Sequence, residues 1–255
     1  MEKKLRSLRT FNFVMAGIHF LQAVLVWYIS DPKKGVVPIT INFLRFDVLT
    51  QKLIPGNEQI AEVNLAWFIV AFFFICSFAH LILATVYRKS YEKNLQVGIN
   101  KIRWFEYALS ASVMMVAISF LSGIYDLSSL VMIFSLDAVM NLLGLAMEER
   151  NSKADKVNWL TFIIGCLAGL IPWLVFAIYV YGARVYGGGN IPNFVYWIYV
   201  SIFLFFNSFA INMVLQYMKI GPWKDYLYGE RVYIILSLVA KSLLAWQVFA
   251  GTLRP

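Results

Sequence analysis

Lys241 stands inside an apolar run, Ile234–Trp246, with only Ser237 and Ser242 as polar company. In a helix it is about ten residues, hence roughly 15 Å, from either end. A lysine side chain does not snorkel that far, and an ionisable group at such depth faces a bundle interior and marks function by default. The structural alternative is a lysine paired only to hold helices together. A buried amine in its neutral form is also the nucleophile that condenses with an aldehyde to give a Schiff base.

A protonated Schiff base needs a negative partner, and Glu106 is the candidate. It falls in the first turns of its helix. Helical side chains lean toward their own N-terminus, so Lys241 leans toward the layer that holds Glu106. The competing reading is an interfacial pair of Glu106 with Arg103 at i, i+3 spacing, worth little. His19 and His80 fall in the same layer, with Gln22, Ser77, Ser110 and Ser237 at compatible depths. Ser237 is four residues before Lys241 and shares its helical face. Either histidine alone reads as a satisfied structural residue. Two of them converging on a glutamate and a lysine read as a polar cavity that holds protons, because imidazole titrates near neutrality. Trp173, Phe203, Phe206, Trp246 and Tyr107 could wall a flat polyene, or simply pack, and Gly144, Gly165 and Gly169 give room for a ligand or for close helix contact.

These residues need spans to carry them. The chain of 255 residues is 60% hydrophobic and 14% charged. A soluble domain is nearer half apolar and a quarter charged, so a bilayer must replace water around the outside. A spanning helix needs about 20 apolar residues. Seven segments qualify: Phe11–Ser30, Val63–Tyr87, Ile102–Ile124, Leu127–Met147, Asn158–Gly182, Phe194–Tyr217 and Arg231–Leu253. The third and fourth meet at a tight turn near Tyr125 and Asp126, and Pro172 is expected to kink the fifth. The fold expected is an all-α seven-helix bundle forming one domain over residues 1–255, a multi-pass protein of the cell membrane. Between the first two spans lies a long connection, 31–62. Within it Val36–Phe46 alternates like a strand, which predicts a β-hairpin over the outer face.

Orientation follows from the basic residues, whose net excess is +8. They sit in short connections between apolar runs rather than in a nucleic-acid patch. The N-terminal side carries 15 Lys and Arg and the opposite side 6, Arg254 included, with Lys241 left inside the last span. The positive-inside rule then puts the N-terminus in the cytoplasm and the C-terminus outside. Cys76 and Cys166 read as small buried apolar residues with no metal spacing, Glu148 and Glu149 as a solvated face, and no paired catalytic constellation suggests an enzyme.

Four blocks carry a resemblance over nearly the whole chain: Arg103-Trp-Phe-Glu-Tyr-Ala-Leu-Ser-Ala-Ser-Val-Met114, Gly165-Cys-Leu-Ala-Gly-Leu-Ile-Pro-Trp173, Phe203-Leu-Phe-Phe-Asn-Ser-Phe-Ala210 and Ser237-Leu-Val-Ala-Lys-Ser-Leu-Leu-Ala-Trp-Gln247. With the inverted topology, the sequence resembles the heliorhodopsins. The resemblance implies all-trans retinal on Lys241, Glu106 as its counterion, and Ser237, His19 and His80 near the Schiff base. The expected retinal pocket adds Tyr107, Ser110, Met114, Asp137, Met140, Gly144, Trp173, Phe203, Phe206 and Asn207. A homodimer and a slow photocycle without ion transport are also implied, and a light-regulated binding module that engages a cytoplasmic signalling partner through the basic connection between the second and third spans is a further reading. Asp137 departs from the pattern, where asparagine is expected. It is either a neutral neighbour of the chromophore or a second proton site, and it keeps light-driven proton transport open as the rival function.

Overall fold

The computed structural model describes residues 2–188 and 191–253. In chain order the elements are α1 (Glu2–Ile29), the hairpin strands β1 (Val36–Asp47) and β2 (Lys52–Asn64), α2 (Leu65–Ala84), α3 (Arg88–Gln96), α4 (Lys101–Leu121), α5 (Leu127–Asn151), α6 (Leu160–Tyr186), α7 (Asn193–Tyr217), a 3-10 turn (Gly221–Lys224), and α8 (Tyr226–Val248), which continues as a π turn (Phe249–Leu253). All of these helices except α3 are long and apolar enough to cross a membrane. Side chains at the ends fix their boundaries. Asn64, Asn100, Asp126 and Asp225 each accept a hydrogen bond from a backbone N–H in the first turn of α2, α4, α5 and α8, satisfying donors that the helix leaves orphaned.

Two differences from the sequence reading matter. The first span starts earlier, at Glu2, so its basic residues ride on the helix. The connection between the second and third spans contains α3, whose Tyr91 and Leu95 are buried beneath the bundle end. α6 runs unbroken through Pro172. Arg254, counted on the C-terminal side, lies outside the described residues.

α4 is the central helix, buried along most of its length against α2 and α5. The antiparallel hairpin pairs Val36 with Asn64 and Asp47 with Lys52, with one irregularity between Ile39 and Thr40. It is tied to the α4–α5 turn. The Thr40 N–H donates to Tyr125 O at 2.9 Å, and Asn42 Nδ2 donates to Asp126 Oδ1 at 3.1 Å. The apolar core fills the hairpin half of the bundle, with Phe72, Phe73, Met115, Ile118 and Phe176 fully buried. The opposite half is more polar, and it carries the groups that matter next.

Candidate functional site

Lys241 and Glu106 meet inside the bundle. Lys241 Nζ donates to Glu106 Oε1 at 2.9 Å and to Ser237 Oγ at 2.8 Å. Both side chains are nearly closed off, at 4% and 7% exposure. Ser237 reaches Lys241 because the two are one turn apart on α8. Ser110 reaches Glu106 on α4 for the same reason, in a short contact. Nζ also lies 5.1 Å from the centroid of the Tyr107 ring, within cation–π range.

Glu106 has a third partner, Cys76 on α2, whose Sγ lies 2.9 Å from Oε1. The thiol is therefore part of the polar site rather than apolar filling. Cys166 on α6 is exposed instead of buried. Arg103 does not pair with Glu106. It is buried between Glu148 and Glu230. Glu148 is thus no solvated residue, at 1% exposure, whereas Glu149 does pair at the surface with Lys101. Reading Glu148 from its place at the end of a span missed the helices that cover it.

The histidines form a layer beside this pair. His19 and His80 stack with centroids 5.7 Å apart and planes within 5°, both within electrostatic reach of Lys241 and Glu106. His80 Nδ1 lies 2.7 Å from Asn12 Oδ1. Asn12 Nδ2 donates to Leu8 O at 2.9 Å. That fixes the amide oxygen toward His80, so Nδ1 carries the hydrogen and Nε2 is free to accept a proton. His19 is fully buried and neither ring nitrogen has a protein partner. A buried polar group without a protein partner is where ordered water belongs. Two expected members stand aside. Ser77 Oγ donates to Ala16 O at 2.9 Å, and Gln22 is half-buried and makes none of the hydrogen bonds of this layer.

From Lys241 a cavity of about 330 Å³ extends toward α5, α6 and α7, within the usual range for a small-molecule site of ~300–1,000 Å³. Tyr107, Met114, Met140, Gly144, Trp173, Phe203, Phe206, Asn207 and Ser237 all line it. Trp173 meets Phe203 and Phe206 edge to face at 5.2 and 5.6 Å. A Cβ at Gly169 would run into Met140 Sδ and come within 3.1 Å of Phe206, so a glycine there keeps the wall open. Gly144 instead lets the Trp104 ring seat against α5, and a Cβ at Gly165 would meet only ordinary contacts. Trp246 packs on the core and not on the cavity.

Ser110 and Asp137 are not wall residues. Asp137 is fully buried behind the wall, where Oδ2 accepts from Ser112 Oγ and from Asn141 Nδ2, both at 3.1 Å. It touches neither Glu106 nor Lys241 through a hydrogen bond. The chemistry available is therefore a buried amine with its own carboxylate, opening on a mostly apolar cavity with aromatic walls. That suits retinal, a long apolar aldehyde that joins a lysine amine. Among the described residues no group of histidine, cysteine and acidic side chains is arranged to hold a metal ion.

Glu230 went unnoticed in the sequence, and Cys76 was read there as a small apolar residue. The signal for Glu230 was there: Glu230, Ser237 and Lys241 stand at i, i+7 and i+11 and share one face of α8.

The heliorhodopsin family model matches residues 8–253. Among solved structures, the crystal structure of cyanorhodopsin N4075R from the cyanobacterium Tolypothrix sp. NIES-4075 is similar in fold. Its TM-score is 0.66 at 12% identity, over 97% of this chain and 94% of that one. No curated protein matches the sequence.

Proposed function

The chain belongs to the heliorhodopsin family, and from that membership we propose that it is a light receptor that holds all-trans retinal on Lys241. The observation that carries this is the Lys241 amine, buried beside Glu106 and lining an aromatic-walled cavity. When bound, retinal supplies a chromophore whose isomerisation by light moves the nitrogen to which it is attached.

The chain's residues divide the remaining work. Glu106 balances the positive nitrogen, and Ser110 and Cys76 donate to Glu106 and hold its carboxylate in place. Ser237 fixes the direction of the Lys241 side chain. Trp173, Phe203 and Phe206 constrain a flat ligand between edge-on rings. His80 is prepared to take a proton at Nε2, and His19 provides two more ring nitrogens in the same layer.

With 15 basic residues on the N-terminal side against 6 opposite, the N-terminus is cytoplasmic in this proposal, and the changed surface is the cytoplasmic one. A homodimer and a cytoplasmic signalling partner belong to the same reading. Light-driven proton transport is the second reading. Asp137 is its one support, and the hydrogen bonds of Asp137 run to Ser112 and Asn141 rather than toward Glu106.

Adding all-trans retinal to the purified retinal-free protein tests the proposal. A visible absorption band that hydroxylamine bleaches is expected. Retinal that keeps only its free-aldehyde absorption would overturn it.

A further inference from the structure

A second buried polar group lies toward the N-terminal face. The Arg103 guanidinium of α4 sits between Glu148 of α5 and Glu230 of α8, and its flat face lies on the Tyr233 ring at 4.1 Å. Arg103, Glu148 and Glu230 are at most 4% exposed. Among the described residues Arg103 is the one cation within ion-pairing distance of either carboxylate. Lys101 is taken up at the surface by Glu149. Two ionised carboxylates would leave one negative charge out of water with nothing to balance it, a state that desolvation opposes. A bound proton removes the imbalance.

The hydrogen bonds indicate which carboxyl has room for it. Glu148 accepts four donors: the Asn100 N–H at 2.9 Å, Trp104 Nε1 at 2.7 Å, the Tyr226 hydroxyl at 3.0 Å, and Arg103. Three of these can only donate. Glu230 accepts three: Asn100 Nδ2 at 2.6 Å, Arg103, and the Tyr91 hydroxyl at 3.2 Å. Each carboxyl has one hydroxyl partner, which can reverse and accept, but Glu230 faces two donor-only groups against three at Glu148, so Glu230 with Tyr91 is the side that takes a proton.

Tyr91 has another neighbour. Asn12 Nδ2 lies 3.5 Å from its hydroxyl, and the oxygen of that same amide holds His80 Nδ1. The chain Glu230, Tyr91, Asn12, His80 thus joins this cluster to the histidine layer beside Lys241. An amide does not hand protons on as water does, so the link transmits orientation: a change in the charge of His80 turns Asn12 and alters what Tyr91 offers Glu230.

We propose that Glu230 is a second proton-binding carboxyl, exchanging its proton with water at the N-terminal face, and that Asn12 and Tyr91 couple its protonation to the state of His80. The coupling rests on the light-receptor reading. The proton on Glu230 does not.

The test has two arms in infrared spectroscopy. In the retinal-free protein, a protonated-carboxyl stretch that shifts in D2O should vanish in Glu230→Gln, vanish also in Glu148→Gln, where Arg103 balances the one carboxylate left, and persist in Asp137→Asn. In Tyr91→Phe the band should move in frequency, and this variant removes one hydroxyl without disturbing the ion cluster. A band that persists in Glu230→Gln, or one that moves in Tyr226→Phe and not in Tyr91→Phe, would overturn the site. In the pigment, light should perturb the Glu230 band in the wild type, and Tyr91→Phe should abolish that perturbation while the visible band remains. An undiminished perturbation in Tyr91→Phe would overturn the coupling. Because the first arm needs no retinal, failure to form pigment would count against the receptor reading alone.

Discussion

Lys241 on α8 and Glu106 on α4 are held 2.9 Å apart, nitrogen to oxygen, with Ser237 on one side and Ser110 and Cys76 on the other. A buried pair of this kind is costly to break: removing one partner strands the other, typically at 3–5 kcal/mol. The geometry therefore ties the stability of the retinal-free protein and the colour of the pigment to the same two residues.

Glu106→Gln should move the visible band of the pigment to longer wavelength. The carboxylate holds positive charge at the nitrogen end of the polyene, and without it the charge spreads along the chain. Absorption spectra at a pH where the pigment stays protonated measure the shift, and an unmoved band would remove Glu106 from the role. Added chloride or nitrate, occupying the vacated place, should partly reverse it.

How much of this was legible in the sequence depended on depth. Lys241 and Glu106 stood out because a charge inside an apolar run is expensive and demands a partner. The hairpin was readable from alternation along Val36–Phe46, and the spans from their length. Glu148 and Glu230 escaped because they stand near helix ends, where sequence cannot distinguish water from a neighbouring helix. Their burial is created by α3 and by the packing of α4, α5 and α8. α3 itself, Arg88–Gln96, is short and charged and reads as loop until Tyr91 and Leu95 are seen tucked beneath the bundle. Cys76 escaped for another reason: a thiol in an apolar span looks like filling until a carboxylate lies opposite.

Asp137→Asn should leave pigment formation and the visible band nearly unchanged, because an amide oxygen can still accept from Ser112. Asp137→Leu should lower stability by only about 1 kcal/mol, since Ser112 keeps Ala108 O and Asn141 keeps the backbone O of residue 137 as acceptors. Thermal unfolding with parallel absorption spectra distinguishes the two effects. A large spectral shift in Asp137→Asn would make Asp137 a competitor of Glu106.

Asp126 should make the hairpin attachment sensitive to acid. Its carboxyl is held below the ordinary aspartate range by the Ser128 hydroxyl, with the Ser129 N–H adding to the effect, and it also accepts from Asn42. A group whose titration is depressed by folding contributes stability above its unfolded value. That contribution is lost as pH falls through the folded one. Protection of the Thr40 amide, its exchange compared with the intrinsic rate at the same pH, should fall over that acidic window. Asp126→Ala should give the same loss at neutral pH, at about 1 kcal/mol for the missing helix cap. Protection that does not respond to acid would separate Asp126 from the anchoring of the hairpin.

The charge asymmetry should set the orientation in the cell. A tag at the N-terminus should be reached by a protease confined to the cytoplasmic side, and a tag at the C-terminus should not. The opposite pattern of cleavage would reverse the proposed topology and move the signalling surface to the other face.

The most direct measurement of the central claim is the absorption spectrum of Lys241→Ala after addition of all-trans retinal, beside the wild type treated identically. The wild type should give a visible band that hydroxylamine abolishes, and Lys241→Ala should give none. Folding of the variant is to be checked by circular dichroism, because Glu106 is left without its cation. Lys241→Arg keeps that positive charge while removing the nucleophile and should be equally colourless. A hydroxylamine-sensitive visible pigment in either folded variant would contradict the assignment of Lys241 as the retinal attachment site.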